Sequence, residues 1–142
     1  MHGMEFIDAI RHERTEPPAG IKTLGLDRTH RWITNLGPGR VELTWPVDPA
    51  YFNLEHAVIC SWTAALGDQA IFLAATTLCQ EGESTRMVEF SVSCLSNLTS
   101  GDVRITGLVD RQVEDRMFAS CTFVDDQGQL AARMTATLDV VR

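Results

Sequence analysis

Residues 57–79 form a long apolar segment with a single charged side chain, Asp68, near its centre. The segment is rich in alanine and leucine, which favour a helix, and apolar residues would occupy almost every face of that helix. A helix that is apolar on all sides is buried, so the segment predicts a central buried helix. A carboxylate on such a helix is costly to desolvate unless it has partners or a task. Asp68 is therefore the first candidate for a functional residue.

The same segment does not predict a membrane span. A spanning helix needs about 20 apolar residues, and a central aspartate costs roughly 2.5–3.5 kcal/mol on insertion scales. No basic residues flank the segment, and it also carries the polar side chains Ser61, Thr63, Gln69, Thr76 and Thr77. We therefore expect a soluble protein without a membrane partner.

The length and the net charge of the chain limit the classes of protein to which it can belong. With 142 residues the chain can bury a substantial core, and we predict one domain over residues 1–142. The net charge of −7 and the scattered lysines and arginines argue against a nucleic-acid partner. A local arginine or a helix N-terminus can still hold an anionic ligand.

The cysteines favour a reducing compartment. Cys60, Cys79, Cys94 and Cys121 are widely spaced, form no CxxC pair and lie in apolar segments, as free buried thiols usually do. The first residues lack the basic region and long apolar run of a secretory signal. We therefore predict a cytoplasmic protein with unpaired thiols. The histidines show no metal-ligand spacing, and we expect no metal or cofactor.

Periodicity elsewhere predicts a short helix and several strands. Residues 3–13 fit an amphipathic helix, and Gly-Pro-Gly at 37–39 separates two strand-like segments as a hairpin turn would. Four segments with alternating apolar residues follow the central helix. They contain residues 88–94, 103–109, 117–123 and 130–140. This order predicts an α+β fold in which an antiparallel sheet wraps around the central helix.

Four local features of the chain are Pro-Ala-Gly-Ile-Lys-Thr-Leu-Gly-Leu at 18–26, Asn53, Leu66-Gly67-Asp68, and Asp-Gln-Gly-Gln-Leu-Ala-Ala at 126–132. In their order and spacing they resemble the small acyl-CoA thioesterases of the phenylacetate-degradation type. Asn53 precedes Asp68 by fifteen residues, the interval that this family shows between its asparagine and its helical acid. The resemblance implies the hotdog fold, an antiparallel sheet of five to six strands around one long helix, here with a short N-terminal helix.

The resemblance also implies a site and a reaction. Asp68 would act as general base or nucleophile in thioester hydrolysis, and Asn53 would orient the water or the substrate carbonyl. The backbone N–H groups of Cys60 and Ser61, at the start of the central helix, would bind the carbonyl oxygen. Relatives share the site between two subunits, so we expect a homodimer or a dimer of dimers that acts on small to medium or aryl acyl-CoA.

The sequence departs from the family just before the helix. Relatives usually carry His-Gly-Gly there, whereas this chain has Ile-Cys-Ser at 59–61, whose side chains can obstruct an acyl group that approaches the backbone. His56 lies three positions early and does not replace the motif's histidine. A second acid or hydroxyl that some relatives carry would fall near Met87, with Ser84 and Thr85 close by.

Arginines supply candidate contacts for the phosphates of coenzyme A. Arg104, Arg111 and Arg116 lie on or beside strands where relatives place these phosphates, and we retain Arg104 and Arg116 as candidates. The alternative for all three is a solvated position on a strand face.

Each site residue also has a second interpretation. Asp68 fits a buried acid that is hydrogen-bonded across a dimer interface, and Asn53 fits a turn or cap before the helix. Ser61 fits an N-cap. Cys60, as a thiol at a helix N-terminus, is a candidate nucleophile because such thiols have lowered pKa values.

The main functional hypothesis is an acyl-CoA thioesterase that uses Asp68. The loss of His-Gly-Gly supports an alternative, a hotdog protein that binds an acyl thioester or another hydrophobic ligand without hydrolysing it. A third hypothesis is a hotdog dehydratase or hydratase, which needs a histidine and an acid at one site. His56 with Asp68 is the pair that the sequence offers for it.

Overall fold

The structure, a computed structural model, describes residues 2–142. Its helices, in chain order, are α1 (Gly3–Arg11), α2 (Ala19–Leu24) and α3 (Cys60–Thr76), and a short 3-10 helix (Pro49–Tyr51) precedes α3. The strands are β1 (Ile33–Gly37), β2 (Arg40–Pro46), β3 (Ser84–Cys94), β4 (Asp102–Val113), β5 (Arg116–Val124) and β6 (Leu130–Val141).

The six strands form one antiparallel sheet in the order β1-β2-β4-β5-β6-β3. One face of this sheet packs against α3, mainly through β2, β4 and β5. Gly107 of β4 permits the closest approach, because a Cβ at this position would collide with the carbonyl group of Ala70 in α3. The predicted fold class is confirmed: a sheet of five to six antiparallel strands wraps around one long helix.

The central helix is shorter than the apolar segment that predicts it. Val58, bridged to Phe52, and Ile59 lead into α3 in an extended conformation, and the helix begins at Cys60. Its buried side chains include Leu66, Ile71 and Leu73, none of which is exposed to solvent. Within residues 2–142, no helix has both the length and the apolar character to cross a membrane.

The alternation predicted for the last strands is confirmed by burial. Met117, Ala119, Cys121 and Phe123 of β5 are all buried, and β6 buries every second residue from 132 to 140. Leu130, predicted in the same row, is exposed instead. A register shift between Phe123 and Val124 pairs Leu130 with Val124, which turns it away from the buried row.

The alternation in β3 is interrupted by a bulge. The register shifts between Met87 and Glu89, so that Met87, rather than the predicted Val88, aligns with the buried Leu138. Within residues 2–142, β3 pairs only with β6 and is therefore an edge strand, on which Val88 and Phe90 are about half exposed. A bulge inserts one residue and therefore shifts the following side chains by one position.

The N-terminal region contains one predicted and one unpredicted helix. α1 confirms the helix expected over residues 3–13, although it ends at Arg11, and the His2 side chain caps it by accepting from the Met4 N–H. α2 was not predicted, because two prolines, at positions 17 and 18, precede it and the segment is too short to show a helical period. Pro18 is the N-cap of α2. This short helix is anchored to the core by Ile21, which is buried.

Candidate active site

Asp68 lies on the one face of α3 that the sheet leaves partly open. This face consists of residues at intervals of three or four, as the helical repeat requires. They are Ser61, Ala65, Asp68, Phe72 and Thr76, and all are half-buried or exposed. The aspartate expected from the sequence is therefore desolvated in part and still accessible from one side.

The protonation of Asp68 is shifted by its surroundings. Burial raises the pKa of the Asp68 carboxyl above its usual range, because a charged carboxylate loses hydration there. Gln69 opposes this shift through a long hydrogen bond from Nε2 to Asp68 Oδ2, at 3.5 Å. The Gln69 amide in turn lies close to Gly20 of α2. A carboxyl with a raised pKa is a typical candidate for acid–base chemistry.

The first turn of α3 offers two unpartnered backbone donors. Ile59 is the N-cap and makes no side-chain capping bond, and its carbonyl oxygen accepts from the N–H groups of Trp62 and Thr63. The N–H groups of Cys60 and Ser61 have no acceptor within residues 2–142. The alternative of Ser61 as an N-cap is therefore wrong, since the chain turns into the helix two residues earlier. Two free N–H groups at a helix N-terminus favour a negatively charged oxygen.

The prediction that all four cysteines are free thiols is wrong. Cys60, the first residue of α3, forms a disulfide with Cys94, the last residue of β3, across a Cα–Cα distance of 6.2 Å. The fold brings these residues together although they are 34 positions apart in sequence. Cys79 and Cys121 are free and buried as predicted. In the disulfide form the Cys60 sulfur is not a nucleophile, which leaves only the backbone N–H of Cys60 for the proposed site.

Asn53 organises the loop that leads to α3. Its side-chain Oδ1 accepts from the N–H groups of Glu55 (2.9 Å) and Ala57 (3.3 Å), and its own N–H donates to the Ala57 carbonyl oxygen. The interpretation of Asn53 as a turn residue is thus confirmed. Because Oδ1 is occupied, the group that Asn53 can offer to a ligand is the Nδ2 donor.

A small pocket joins several of these groups at the start of α3. It has a volume of about 170 Å³, and its wall includes Asn53, Thr63 and both halves of the disulfide. The structure therefore brings Asn53 and Cys60 together, as expected. Asp68 does not line this pocket. It lies eight residues beyond Cys60, or about 12 Å along the helix axis.

The other predicted site residues are dispersed. His56 is exposed in the loop before α3. Arg104 lines a surface pocket with three carboxylates, those of Asp102, Asp125 and Asp126, which disfavour a phosphate there.

Arg116 is already committed to a carboxylate. Its guanidinium donates to both oxygens of Asp139, at 2.8 and 3.2 Å, so a phosphate would have to displace this ion pair. Arg111 is exposed on β4, after the register shift that interrupts this strand. On β3, Met87 faces the core, whereas Ser84 is exposed and the Thr85 hydroxyl is buried without a partner.

Sequence reasoning missed Cys94 as a neighbour of the helix start. It also missed a cavity of about 450 Å³ at the β1 edge, whose wall includes Arg11, His30 and Arg31. No predicted site residue lines this cavity. The signal for Cys94 was present in the sequence, since both disulfide cysteines lie at the ends of predicted elements, but only the fold shows that those ends meet.

Solved structures with the same fold match almost the whole chain. A thioesterase-family protein from Silicibacter pomeroyi shares 25% sequence identity with this chain, and the TM-score is 0.80. The alignment covers 95% of this chain and 98% of the Silicibacter chain. The PaaI protein from the phenylacetic acid degradation operon of Escherichia coli shares 18% identity, covering 99% and 95%, with a TM-score of 0.82. At this coverage, both structural similarities include the sheet and the central helix.

A third similar structure was determined with a ligand. This Streptococcus mutans protein, bound to acetyl-CoA, shares 19% identity, covering 77% of this chain and 86% of its own, with a TM-score of 0.71. No protein-family model matches the sequence, and a search of curated proteins finds no match. The hotdog fold that the sequence resemblance implied is confirmed by the solved structures.

Proposed function

We propose that the protein is a thioester hydrolase that acts on acyl-CoA, with Asp68 as general base or nucleophile. The observation that carries this proposal is the pair of unpartnered N–H groups at Cys60 and Ser61, together with a carboxyl of raised pKa on the same helix. Similar structures that are named thioesterases, and one bound to acetyl-CoA, support the choice of a thioester as substrate.

The chemistry follows from these two groups. As general base, the Asp68 carboxylate takes a proton from water, and the water oxygen attacks the thioester carbon. As nucleophile, the carboxylate attacks that carbon itself, and water then hydrolyses the anhydride. In both routes negative charge develops on the carbonyl oxygen, where the N–H groups of Cys60 and Ser61 stabilise it until the coenzyme A thiolate leaves.

One chain does not bring these groups to one carbonyl, because about 12 Å of helix separates Asp68 from Cys60. We therefore propose that two copies complete each site, with Asp68 from one and the helix N-terminus from the other. The unpaired edge of β3, with its half-exposed Val88 and Phe90, supports pairing with a second copy. A homodimer, or a dimer of dimers, is the assembly that this arrangement requires.

Asn53 then has a defined role. Since its Oδ1 is held by the loop, its Nδ2 would donate to the substrate carbonyl or to an attached polar group. Small to medium or aryl acyl groups are the proposed substrates. The phosphates of coenzyme A remain without an assigned partner, because the carboxylates around Arg104 and Arg116 compete for both.

The experiment is thiol release from short, medium, long and aryl acyl-CoAs, measured with a thiol-reactive dye for wild type and Asp68→Asn. We expect Asp68→Asn to lower turnover by at least about 100-fold, as loss of a general base or nucleophile does. Asp8→Asn, the same change at an exposed carboxyl of α1, is the matched control and should retain turnover. Full activity of Asp68→Asn would overturn the assignment.

A second function is favoured by residues 59–61, where the family has His-Gly-Gly. The Cys60 side chain and its disulfide lie beside the free N–H groups, and their bulk can keep a thioester from the backbone. The chain would then bind an acyl thioester, or another hydrophobic ligand, without hydrolysing it. Binding of acyl-CoA by calorimetry, with no thiol release across the panel, would identify this function.

A further inference from the structure

The Cys60–Cys94 disulfide is accessible at the start of α3. Both cysteines are exposed, and both line the pocket of about 170 Å³ that also contains Asn53. This volume is several times that of a water molecule, which occupies about 30 Å³ in the liquid. The thiol end of a small molecule therefore has room to reach the sulfur atoms.

We propose that this disulfide is a thiol-exchange site for low-molecular-weight thiols, and that its opening switches off the neighbouring active site. The exchange depends only on the geometry of the disulfide and its pocket. The effect on activity rests on the proposed function, in which the N–H groups of Cys60 and Ser61 bind the developing oxyanion.

The exchange has a preferred direction. A thiolate attacks one sulfur and forms a mixed disulfide, while the other sulfur leaves as a thiolate, so atoms and electrons balance without an oxidant. Cys60 is the better leaving group, because a helix N-terminus stabilises a thiolate, and Cys94 at the end of a strand has no such stabilisation. The incoming thiol should therefore bond to Cys94 and release the Cys60 thiolate.

The released thiolate changes the charge at the site. Every residue that lines the pocket is uncharged, so no lysine or arginine neutralises the new negative charge. The charge sits on the first residue of α3, beside the two free N–H groups. These groups would then interact with the Cys60 thiolate, and the oxyanion of the substrate would be repelled. Attack of Cys60 on the mixed disulfide expels the small thiol and restores the neutral state.

Two sources can supply such a thiol. Free coenzyme A is the thiol that the proposed reaction releases, and glutathione is a general cellular thiol. If the pocket lies beside the coenzyme A site, coenzyme A should react at a lower concentration than glutathione. Equal reactivity of the two thiols would overturn this placement of the pocket.

The test is incubation of the oxidised protein with coenzyme A or glutathione, followed by peptide mapping by mass spectrometry. We expect an adduct on Cys94 and none on the buried Cys79 and Cys121. No adduct would overturn the exchange site, and an adduct on Cys60 would overturn the proposed direction. These outcomes do not depend on whether the protein hydrolyses thioesters.

Activity measurements test the switch. Formation of the adduct should lower thioester hydrolysis by at least about tenfold, since loss of a single oxyanion donor costs about 100-fold or more. Removal of the free thiol should restore it without an oxidant, because Cys60 then expels the bound thiol and re-forms the disulfide. Cys79→Ser should respond as wild type does, whereas Cys94→Ser should have low activity that thiols do not change. An adduct that leaves hydrolysis unchanged would overturn the switch. If the protein hydrolyses no thioester, the same comparison is made on acyl-CoA binding, which the adduct should weaken.

Discussion

The two ends of α3 are built in opposite ways. At the C-terminal end, the Thr77 hydroxyl donates to the Ala74 carbonyl oxygen and accepts from the Gly39 N–H, and the Gly3 N–H donates to the Cys79 carbonyl oxygen. At the N-terminal end, the N–H groups of Cys60 and Ser61 have no acceptor within residues 2–142. Buried helix ends normally satisfy their polar groups, as the C-terminal end does, whereas the exposed N-terminal end leaves two donors available to water or a ligand.

This difference separates stability from binding along one helix. The C-terminal end is closed so tightly that a Cβ at Gly3 would collide with the carbonyl group of Thr76. The N-terminal end is exposed, faces a pocket and is held to the sheet edge by the disulfide. Changes at the closed end should therefore alter the free energy of unfolding, and changes at the open end should alter catalysis.

The largest expected effect comes from removing one N–H group at the open end. Cys60→Pro deletes the Cys60 N–H without breaking a helical hydrogen bond, and Ile59, at φ −64° and ψ 143°, already has a conformation compatible with a following proline. We expect thioester hydrolysis to fall by about 100-fold relative to Cys60→Ala, as for loss of an oxyanion donor.

Cys60→Ala is the matched control because it also lacks the disulfide but keeps the N–H. Urea unfolding of both variants should give similar midpoints, since the deleted group has no intramolecular partner. Equal turnover of the two variants would mean that the Cys60 N–H does not bind the substrate oxygen.

The next effect is expected at the closed end. Thr77 is 2% exposed, and Thr77→Val keeps its shape but leaves the Gly39 N–H without an acceptor. We expect the free energy of unfolding to fall by about 2 kcal/mol, the usual penalty for an unsatisfied buried group. Turnover per folded molecule should not change.

Thr77→Ser tests whether the hydroxyl is responsible. It keeps both hydrogen bonds and loses one methyl group, which costs about 0.8 kcal/mol. Urea denaturation of the three proteins measures both differences. If Thr77→Ser is as unstable as Thr77→Val, the contribution of Thr77 to the free energy of unfolding comes from packing of its methyl group and not from its hydrogen bonds.

Much of the fold was predictable because its signals are local and repeated. The apolar segment around Asp68 predicted α3, and the alternation in residues 117–123 and 132–140 predicted β5 and β6. α2 was missed because six residues between prolines and Gly25 are too few for a helical period to be recognised. The bulge at Val88 was missed because it is defined only by the pairing with β6.

The site was less predictable because it depends on contacts between distant residues. Asp68 and Asn53 were predicted as site residues from their spacing and their chemical type, and they stay predictions. The disulfide was not found, since Cys60 and Cys94 meet only when the start of α3 reaches the end of β3. A pattern of four separated cysteines is the same in sequence whether two of them pair or none do.

The smallest expected effect concerns the pH dependence of stability. Burial raises the pKa of Asp68 in the folded chain, whereas the unfolded chain has the usual value. Between these two pKa values the folded state holds a proton that the unfolded state has released, so the Asp68 contribution to stability falls as pH rises through this window. An asparagine side chain cannot ionise, so the Asp68→Asn variant should be the more stable protein at neutral pH.

Urea midpoints of wild type and Asp68→Asn between about pH 3 and about pH 7 measure this contribution. The difference should be smallest at the acid end and grow with pH. Asp48 and Asp139 have lowered pKa values, because a backbone N–H of Ala50 and the guanidinium of Arg116, respectively, bind their charged forms. Their stabilising contributions are lost as pH falls, but they are common to both proteins and cancel in the difference. A wild type that is the more stable protein at neutral pH would mean that a partner in the assembly stabilises the Asp68 carboxylate, in which case burial alone does not determine its ionisation.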